Sequence, residues 1–361
     1  MINMQPGLFG LKYSNRDFAQ KESWGKNCFN SSLPAAICAY LSSQSLDNVY
    51  IKLRSDLKIQ HHSISTTDLY GLHPDSENLF YAFETQFTPY QKYVIGTLPG
   101  VDLVTQSKIK GQCLQGIEIK LTALPDHTTC HLSENQYGCE IVVRPQTIAY
   151  LACSIIDSYS EEKPLFEHCI NNANIKILNW TEQDLVIPNI PRIIETIDSV
   201  ALLGLGRQRP LLMQPIWKTE GKSPRLAENC LDVFVWSDLA FTRLFIDLSK
   251  QEIEKFNRIK SISRHTRTII WLFKMLQSFC DHGSFNYKKI IDSLSYNTGN
   301  DKAFAISGRG THPYMESEVL RKPRIHRDEI KDIILGGGQN LLSPERRLDA
   351  IIYNSPDLFS N

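Results

Sequence analysis

Leu98-Pro-Gly-Val-Asp-Leu-Val104 and Gly116-Ile-Glu-Ile-Lys-Leu121 are the two stretches around which the rest of this sequence is organised. The second stretch alternates apolar and polar residues, as in a strand whose successive side chains point to opposite faces. Glu118 and Lys120 then share one face of that strand. The segment between the two stretches, Ser107-Lys-Ile-Lys-Gly-Gln112, has the composition of a hairpin turn. Such a turn brings Asp102 beside Glu118.

Two carboxylates and one ammonium group at one place suit a hard, oxygen-seeking divalent cation and an attacking water molecule. A solvent-exposed strand that alternates Glu and Lys for solubility has the same residue pattern. The spacing of Asp102, Glu118 and Lys120 therefore leaves both interpretations open.

The three residues Asp102, Glu118 and Lys120 resemble the signature of the PD-(D/E)XK nucleases, with the usual Pro-Asp pair loosened to Pro99-Gly-Val-Asp102. Further blocks along the chain resemble the HindVP family of type II restriction endonucleases. This resemblance is dense over residues 6–150 and thinner in the C-terminal half. The blocks that carry it are Pro6-Gly-Leu-Phe-Gly10, Asn15-Arg-Asp-Phe18, Trp24-Gly-Lys-Asn27, Phe29-Asn-Ser-Ser32, Gly116-Ile-Glu-Ile-Lys-Leu-Thr-Ala-Leu-Pro-Asp126 and Tyr137-Gly-Cys-Glu-Ile-Val-Val-Arg-Pro145.

The resemblance implies an α/β, restriction-endonuclease-like fold: a PD-(D/E)XK core with a mixed central β-sheet flanked by helices, and additional helical elements for DNA recognition. It implies a homodimer that cuts double-stranded DNA with Mg²⁺ at the degenerate palindrome GRCGYC and leaves 5′-phosphate and 3′-hydroxyl ends. A cognate DNA methyltransferase would be the functional partner. Two alternatives stay open, namely another nuclease with the same core (a repair or junction-cutting enzyme) and a catalytically inactive DNA-binding protein.

The same resemblance assigns roles to the residues of the two stretches. Asp102 and Glu118 would bind Mg²⁺ together with the carbonyl oxygen of Ile119, and Lys120 would hold the attacking water. Glu84 is a further candidate metal ligand, because an acid upstream of the first motif aspartate often joins the site in such nucleases. Its aromatic neighbours equally suit a glutamate at the edge of the core.

Positive and negative residues balance, with 39 Lys and Arg against 39 Asp and Glu, which argues against a protein that coats DNA without specificity. The charges are nevertheless segregated, since residues 207–274 contain 13 basic and 7 acidic residues. A solvated helix face would give the same imbalance. If the segment instead contacts DNA phosphates, the candidates are Arg207, Arg209, Arg258, Lys260, Arg264 and Arg267.

The nine cysteines are odd in number and show no repeated spacing. No signal peptide or membrane-spanning run is recognisable, so we expect reduced thiols in a cytoplasmic, bacterial protein. A separate group of zinc-type ligands has a spacing that matches no familiar zinc module, which leaves zinc binding open. These residues are His127, Cys130, His131 and Cys139.

The coarse order of predicted elements is strands, a helix and then strands and helices again, which is typical of a sheet flanked by helices. Helices are predicted over residues 15–45 (interrupted near Asn30 and Pro34), 145–159, 239–250, 265–280 and 288–294. Strands are predicted over 93–97, 101–105, 114–121, 175–180, 211–217 and 231–236, while 79–87 suits either and 297–311 a loop. We expect a catalytic core with an N-terminal helical region over 1–250 and a helical and loop region contributing to DNA binding over 251–361, or one continuous domain.

Overall fold

Helices and short antiparallel sheets alternate along the chain. The structure is a computed structural model, and it describes residues 10–16, 26–109, 111–121, 141–207, 211–215, 217–220, 223–226, 232–235, 239–256, 261–298 and 304–306. The helices of these residues are α1 (Lys26–Ser43), α2 (Thr66–Tyr70), α3 (Pro145–Ser158), α4 (Lys163–Asn172), α5 (Gln183–Val186), α6 (Ile190–Leu203), α7 (Leu239–Phe256), α8 (Arg264–His282) and α9 (Tyr287–Ser293).

Twelve short strands are distributed over the same parts of the chain. They are β1 (Asn48–Leu53), β2 (Ile59–Ile64), β3 (Leu79–Thr85), β4 (Val101–Ser107), β5 (Gln112–Ile117), β6 (Ile119–Leu121), β7 (Ile141–Val143), β8 (Leu211–Pro215), β9 (Trp217–Glu220), β10 (Ser223–Leu226), β11 (Asp232–Val235) and β12 (Phe304–Ile306).

The strands of the described residues form several sheets instead of the single mixed central sheet that was expected. One sheet has the order β2-β1-β8-β11-β6, a second has the order β3-β4-β5, and β9 with β10 and β7 with β12 form two-stranded sheets. Every pairing between these strands is antiparallel. Short connections such as the one between β4 and β5 permit antiparallel pairing only, because a parallel pair needs a long crossover. The architecture is therefore mixed α/β with small antiparallel sheets.

Glu118 is the residue at which the chain passes from one sheet to another. Strand β5 ends at Ile117 in the three-stranded sheet, and β6 begins at Ile119 in the five-stranded sheet. The predicted catalytic glutamate therefore lies at the junction of the two sheets.

Helix α8 is the central element of the helical layer. The hydroxyl of Ser263 accepts a hydrogen bond from the backbone N–H of Thr266 at its start, and Gly283 ends it in the left-handed conformation, with φ of 73°. Both are favoured helix-terminating arrangements. Between these ends the helix is largely buried, including Trp271, and it packs against α3, α6 and α7. One hydrophobic core thus joins residues on both sides of position 250.

Several predicted elements are confirmed. Strands β4, β8 and β11 occupy the predicted ranges, as do helices α3, α7, α8 and α9, and residues 79–85 form a strand. The single strand predicted over 114–121 is divided at Glu118 into β5 and β6, which belong to different sheets. The turn between β4 and β5 is also confirmed, with Gly111 at a positive φ of 58°.

The described part of the predicted N-terminal helix is less interrupted than expected. Residues 10–16 form no helix, and α1 runs from Lys26 without a break through Pro34. The predicted buried positions Leu33, Ile37 and Leu41 are at most 1% exposed, so burial of this face compensates for the backbone hydrogen bond that proline cannot make.

Two predicted strands are wrong. Residues Thr88–Tyr93 form a 3₁₀ helix, and after it Val94 makes only an isolated bridge to Phe285, because Gly96 turns the chain at a φ of 92°. Residues 175–180 form no strand, and the side chain of Leu178 is 98% exposed. Its apolar character therefore does not reflect a buried sheet face.

None of the described helices combines the length and the apolar character needed to cross a membrane.

Candidate active site

Asp102 and Glu118 lie next to each other at one end of the three-stranded sheet. Strand β4 pairs with β5 so that Leu103 is opposite Ile117, and continuing this register by one position brings Asp102 beside Glu118. The backbone N–H of Ile119 donates a 2.7 Å hydrogen bond to Oδ2 of Asp102. The predicted convergence of these residues is therefore present, and the hydrogen bond fixes the Asp102 carboxylate against the chain that carries Glu118.

The Glu118 side chain is buried, with the residue only 8% exposed, and is held by helix α3. Its Oε1 accepts a 3.2 Å hydrogen bond from the hydroxyl of Thr147, in the first turn of that helix. The positive end of a helix macrodipole favours a carboxylate at this location. A buried carboxylate is costly without such partners, so the first turn of α3 stabilises Glu118 in its inward position.

Tyr150 lies one turn further along α3 and borders the same pair. Burial raises the pKa of its hydroxyl well above the ordinary value, and the negative charge of Glu118 acts in the same direction. The hydroxyl accepts a 2.7 Å hydrogen bond from the backbone N–H of Phe87. Tyr150 therefore stays protonated and ties the loop after β3 to the helix that holds Glu118.

Strand β6 carries the two remaining motif residues. Ile119 is buried and pairs with Val235 of β11, and Lys120 pairs with Phe234. The backbone of Lys120 thus lies two positions after Glu118, on the strand that begins at Ile119. Its side chain lies outside the described residues, and its role stays a prediction.

Glu84 lies on the other side of Asp102. In the pairing of β3 with β4, Phe83 is opposite Leu103 and Thr85 is opposite Val101, which places Glu84 opposite Asp102. Glu84 has a φ of 50°, in the left-handed region that costs a residue other than glycine about 1–3 kcal/mol. Its Oε1 lies 3.3 Å from Nη2 of Arg16, and its side chain is 49% exposed. The carboxylate thus forms an ion pair with the N-terminal segment.

The donor set suits a divalent cation at Asp102 and Glu118, because both offer carboxylate oxygens and the adjacent backbone of Ile119 offers a carbonyl. Among the described residues, no group of three His, Cys, Asp or Glu side chains is arranged to hold a metal ion. Participation of Glu84 therefore stays a prediction. His127, Cys130, His131 and Cys139 lie outside the described residues.

The structure describes the side chains of two of the six predicted DNA-binding residues, Arg264 and Arg267. Arg264 is exposed at the start of α8, where its Nε donates to the carbonyl of Thr298 at 3.4 Å. The side chain of Arg207 and all of Arg209, Arg258 and Lys260 lie outside the described residues.

The structure argues against the predicted DNA contact of Arg267. Its guanidinium is 0% exposed, lies 4.4 Å from the ring centroid of Trp271 and donates to the carbonyl of Ser295 at 3.2 Å. A buried, stacked guanidinium does not reach a DNA phosphate at the surface. The basic residue count could not separate this arginine from exposed ones, because its position on the inner face of α8 depends on tertiary packing.

For four side chains around the site, the sequence alone predicts no role. Arg16, Ser31 and Ser32 meet beside Glu84, and Thr147 holds Glu118. The first three lie in the blocks Asn15-Arg-Asp-Phe18 and Phe29-Asn-Ser-Ser32. These blocks resemble the HindVP family, but the resemblance alone indicates no function for the individual residues. Thr147 follows Pro145 by two positions, and that proline marks the start of the helix.

Comparison with known proteins extends the similarity over almost the whole chain. The family model described as HindVP restriction endonuclease matches residues 24–359. The chain is 46% identical over 359 residues to the probable type II restriction enzyme HindVP of Haemophilus influenzae, covering 99% of this chain and 96% of that protein. It is 43% identical over 355 residues to the type II restriction enzyme HgiDI of Herpetosiphon aurantiacus, covering 98% and 97%. No solved structure matches significantly. The chain therefore belongs to the HindVP restriction endonuclease family, as a type II site-specific deoxyribonuclease.

Proposed function

We propose that this protein hydrolyses both strands of double-stranded DNA at GRCGYC in a reaction that requires Mg²⁺ and leaves 5′-phosphate and 3′-hydroxyl ends. The observation that carries the proposal is the position of Asp102, whose carboxylate accepts from the Ile119 N–H in the chain segment that contains Glu118. This arrangement supports a PD-(D/E)XK core built on β4, β5 and β6.

The protein groups have separate roles in this mechanism. Asp102, Glu118 and the Ile119 carbonyl would hold the cation. When bound, a divalent cation supplies Lewis acidity toward the scissile phosphate and the attacking water. The hydrogen bond from Ile119 to Asp102 and the one from Thr147 to Glu118 keep both carboxylates in fixed orientations before DNA binds. Such preorganisation avoids a rearrangement during the reaction.

Lys120 is assigned to the attacking water. An ammonium group on the strand that follows Glu118 would hold the water in line with the phosphate and offset the negative charge that builds up there during attack. Its position two residues after Glu118, on the strand that continues directly from it, supports this role.

A palindromic site calls for a homodimer. Each active site serves one strand, and a two-fold axis in the protein matches the two-fold axis of the DNA sequence. The core that joins both sides of position 250 supports one continuous domain per subunit, with the C-terminal region contributing to DNA binding. A cognate methyltransferase would protect the same site in the host DNA.

The degenerate position is compatible with reading from the major groove. Adenine and guanine share the N7 acceptor and differ at the 6-position, so a donor to N7 that leaves the 6-position alone accepts both purines. The remaining G·C pairs could be read fully, by bidentate contacts to guanine O6 and N7.

The proposed specificity is tested with three duplexes that differ only at the degenerate position. GACGTC and GGCGCC both satisfy GRCGYC, and GTCGAC does not. With Mg²⁺ we expect cleavage of the first two at comparable rates and none of the third, and labelling of the product ends identifies the 5′-phosphate. Equal cutting of all three would contradict the site.

Digestion of a plasmid and of branched DNA with Mg²⁺ separates the alternative functions. Discrete fragments from a plasmid indicate restriction, a preference for branched DNA indicates a junction-cutting nuclease, and binding without cutting indicates an inactive DNA-binding protein. The identity to type II restriction enzymes favours the first outcome.

A further inference from the structure

Arg16 is an unusually constrained arginine beside the candidate site. Its side chain is 8% exposed, and its Nη1 donates to the hydroxyls of Ser31 at 2.9 Å and Ser32 at 2.7 Å. The guanidinium carbon lies 4.6 Å from the ring centroid of Phe83. Contacts on its edge and on its face therefore leave the cation little freedom to move.

The segment that carries Arg16 is attached to strand β3. The amide side chain of Asn15 donates to the carbonyl of Phe83 at 3.0 Å and accepts from its N–H at 2.9 Å, and Ser14 forms a parallel bridge with Tyr81. These contacts fix the segment beside the strand on which Glu84 lies. Nη2 of Arg16 then lies 3.3 Å from Oε1 of Glu84, within ion-pair distance.

The charge of Glu84 matters because of the register of the three strands. Glu84 is opposite Asp102, and Asp102 is followed across the sheet by Glu118. Three carboxylates therefore start from neighbouring backbone positions on β3, on β4 and at the end of β5. Such a row attracts a divalent cation and repels a DNA phosphate, and the enzyme must bind both.

We propose that Arg16 is a positioning and charge-compensating residue for the active site. It holds the Glu84 carboxylate in an ion pair and offsets its charge, so that Asp102 and Glu118 carry the net negative charge that the cation and the phosphate encounter. This role rests on the proposed function of Asp102 and Glu118 as the metal-binding pair. A purely structural role of Arg16 would not depend on the net charge of the Arg16–Glu84 pair. Substitutions that make this charge negative or positive therefore separate the two roles.

The test uses Arg16→Gln, Glu84→Gln and the double variant in the full-length protein. The pair has a net charge of zero in the wild type, −1 in Arg16→Gln, +1 in Glu84→Gln and zero again in the double variant. Binding of Mg²⁺ is measured by calorimetry without DNA. Binding of a GACGTC duplex is measured by fluorescence anisotropy with EDTA present, so that neither experiment depends on cleavage.

We expect opposite effects on the two ligands. Arg16→Gln should bind Mg²⁺ more tightly and DNA more weakly, each by about fivefold, because the site becomes more negative by one unit of charge. Glu84→Gln should bind Mg²⁺ more weakly and DNA more tightly. The double variant should return to within about twofold of the wild type for both ligands. An Arg16→Lys variant, which keeps the charge, should also stay close to the wild type.

Other outcomes overturn the proposal. If Arg16→Gln weakens the binding of both ligands and the double variant does not regain the wild-type affinities, Arg16 has only a structural role. Thermal unfolding of each variant will then show the lost stability. Unchanged affinities in all three variants would mean that the pair does not influence the site.

Two controls complete the design. Lys163→Gln changes the charge of the Lys163–Glu167 pair on α4 from zero to −1, the same change that Arg16→Gln makes. Helix α4 packs against α6 and α8, and this variant should leave both affinities unchanged. Asp102→Asn tests the metal-binding pair separately from Arg16. If it binds Mg²⁺ as well as the wild type does, the metal-binding role of Asp102 fails, whatever Arg16 does.

Discussion

At the scale of single residues, the candidate site is built from carboxylates whose partners are hydrogen-bond donors. Asp102 accepts from a backbone N–H, and Glu118 accepts from the hydroxyl of Thr147. A hydrogen bond to a charged group contributes about 1.5–3 kcal/mol. The orientation of each carboxylate therefore has an energetic basis before any ligand binds.

Replacing Thr147 by Val removes the donor to Glu118 while keeping the shape of the side chain. We expect single-turnover cleavage to slow by about tenfold, since the loss of one hydrogen bond to the carboxylate permits other orientations. Thr147→Ser restores the hydroxyl and should cut at nearly the wild-type rate. If Val and Ser slow the reaction equally, the hydroxyl is not what positions Glu118.

Lys120 should be separable from the metal ligands. Since an ammonium group does not bind a cation, Lys120→Ala should retain the Mg²⁺ affinity of the wild type in a calorimetric titration. Its cleavage rate should fall by about 10²–10³, the usual loss for one well-placed electrostatic contact. A collapse of Mg²⁺ affinity would instead reveal a structural role for Lys120.

At the scale of elements, Gly116 explains how β5 approaches the loop after β3. A Cβ atom at this position would lie 2.8 Å from Cγ and 3.0 Å from Cβ of Phe87, closer than real contacts allow. The Phe87 ring is packed edge-on against Tyr90, and the Phe87 N–H donates to Tyr150. A side chain at position 116 would therefore disturb the packing beside Glu118.

Gly116→Ala should lower the free energy of unfolding by about 1–3 kcal/mol, the usual cost of overpacking. The matched control is Gly206→Ala, because no atom of the described residues lies within 4 Å of a Cβ at that position. Chemical denaturation of both variants provides the comparison. Equal stability of the two would show that Phe87 can move aside without cost.

The elements that the sequence predicted well are those with strong local patterns. The turn between β4 and β5 and the proline at the start of α3 both correspond to observed features. The passage from β5 to β6 at Glu118 could not be predicted, because the pairing of β6 with β11 joins residues far apart in the sequence. The same reason applies to Arg16, whose partners on α1 and β3 depend on the tertiary fold.

At the scale of the whole molecule, the balanced charge means that DNA binding depends on where basic residues lie. Of the two predicted contacts on α8, Arg264 is exposed and Arg267 belongs to the core. The count of basic residues in a segment therefore does not show which of them are exposed to a phosphate.

The two arginines should differ in a salt titration of DNA binding. If Arg264 contacts a phosphate, Arg264→Gln should reduce the slope of log affinity against log salt concentration by about 0.9. Arg267→Gln should instead lower thermal stability, because it removes a buried, stacked side chain. An unchanged slope for Arg264→Gln would exclude it from the phosphate contacts.

The most direct test of the central claim is the cleavage rate of Asp102→Asn on a duplex with one GACGTC site in Mg²⁺. This substitution retains the size of the side chain and removes the charge that the cation requires. We expect DNA binding to persist and cleavage to fall by at least about 10²–10³, since a metal ligand contributes as much as or more than one electrostatic contact. Cleavage by Asp102→Asn at a rate close to that of the wild type would contradict the assignment of the active site to Asp102 and Glu118.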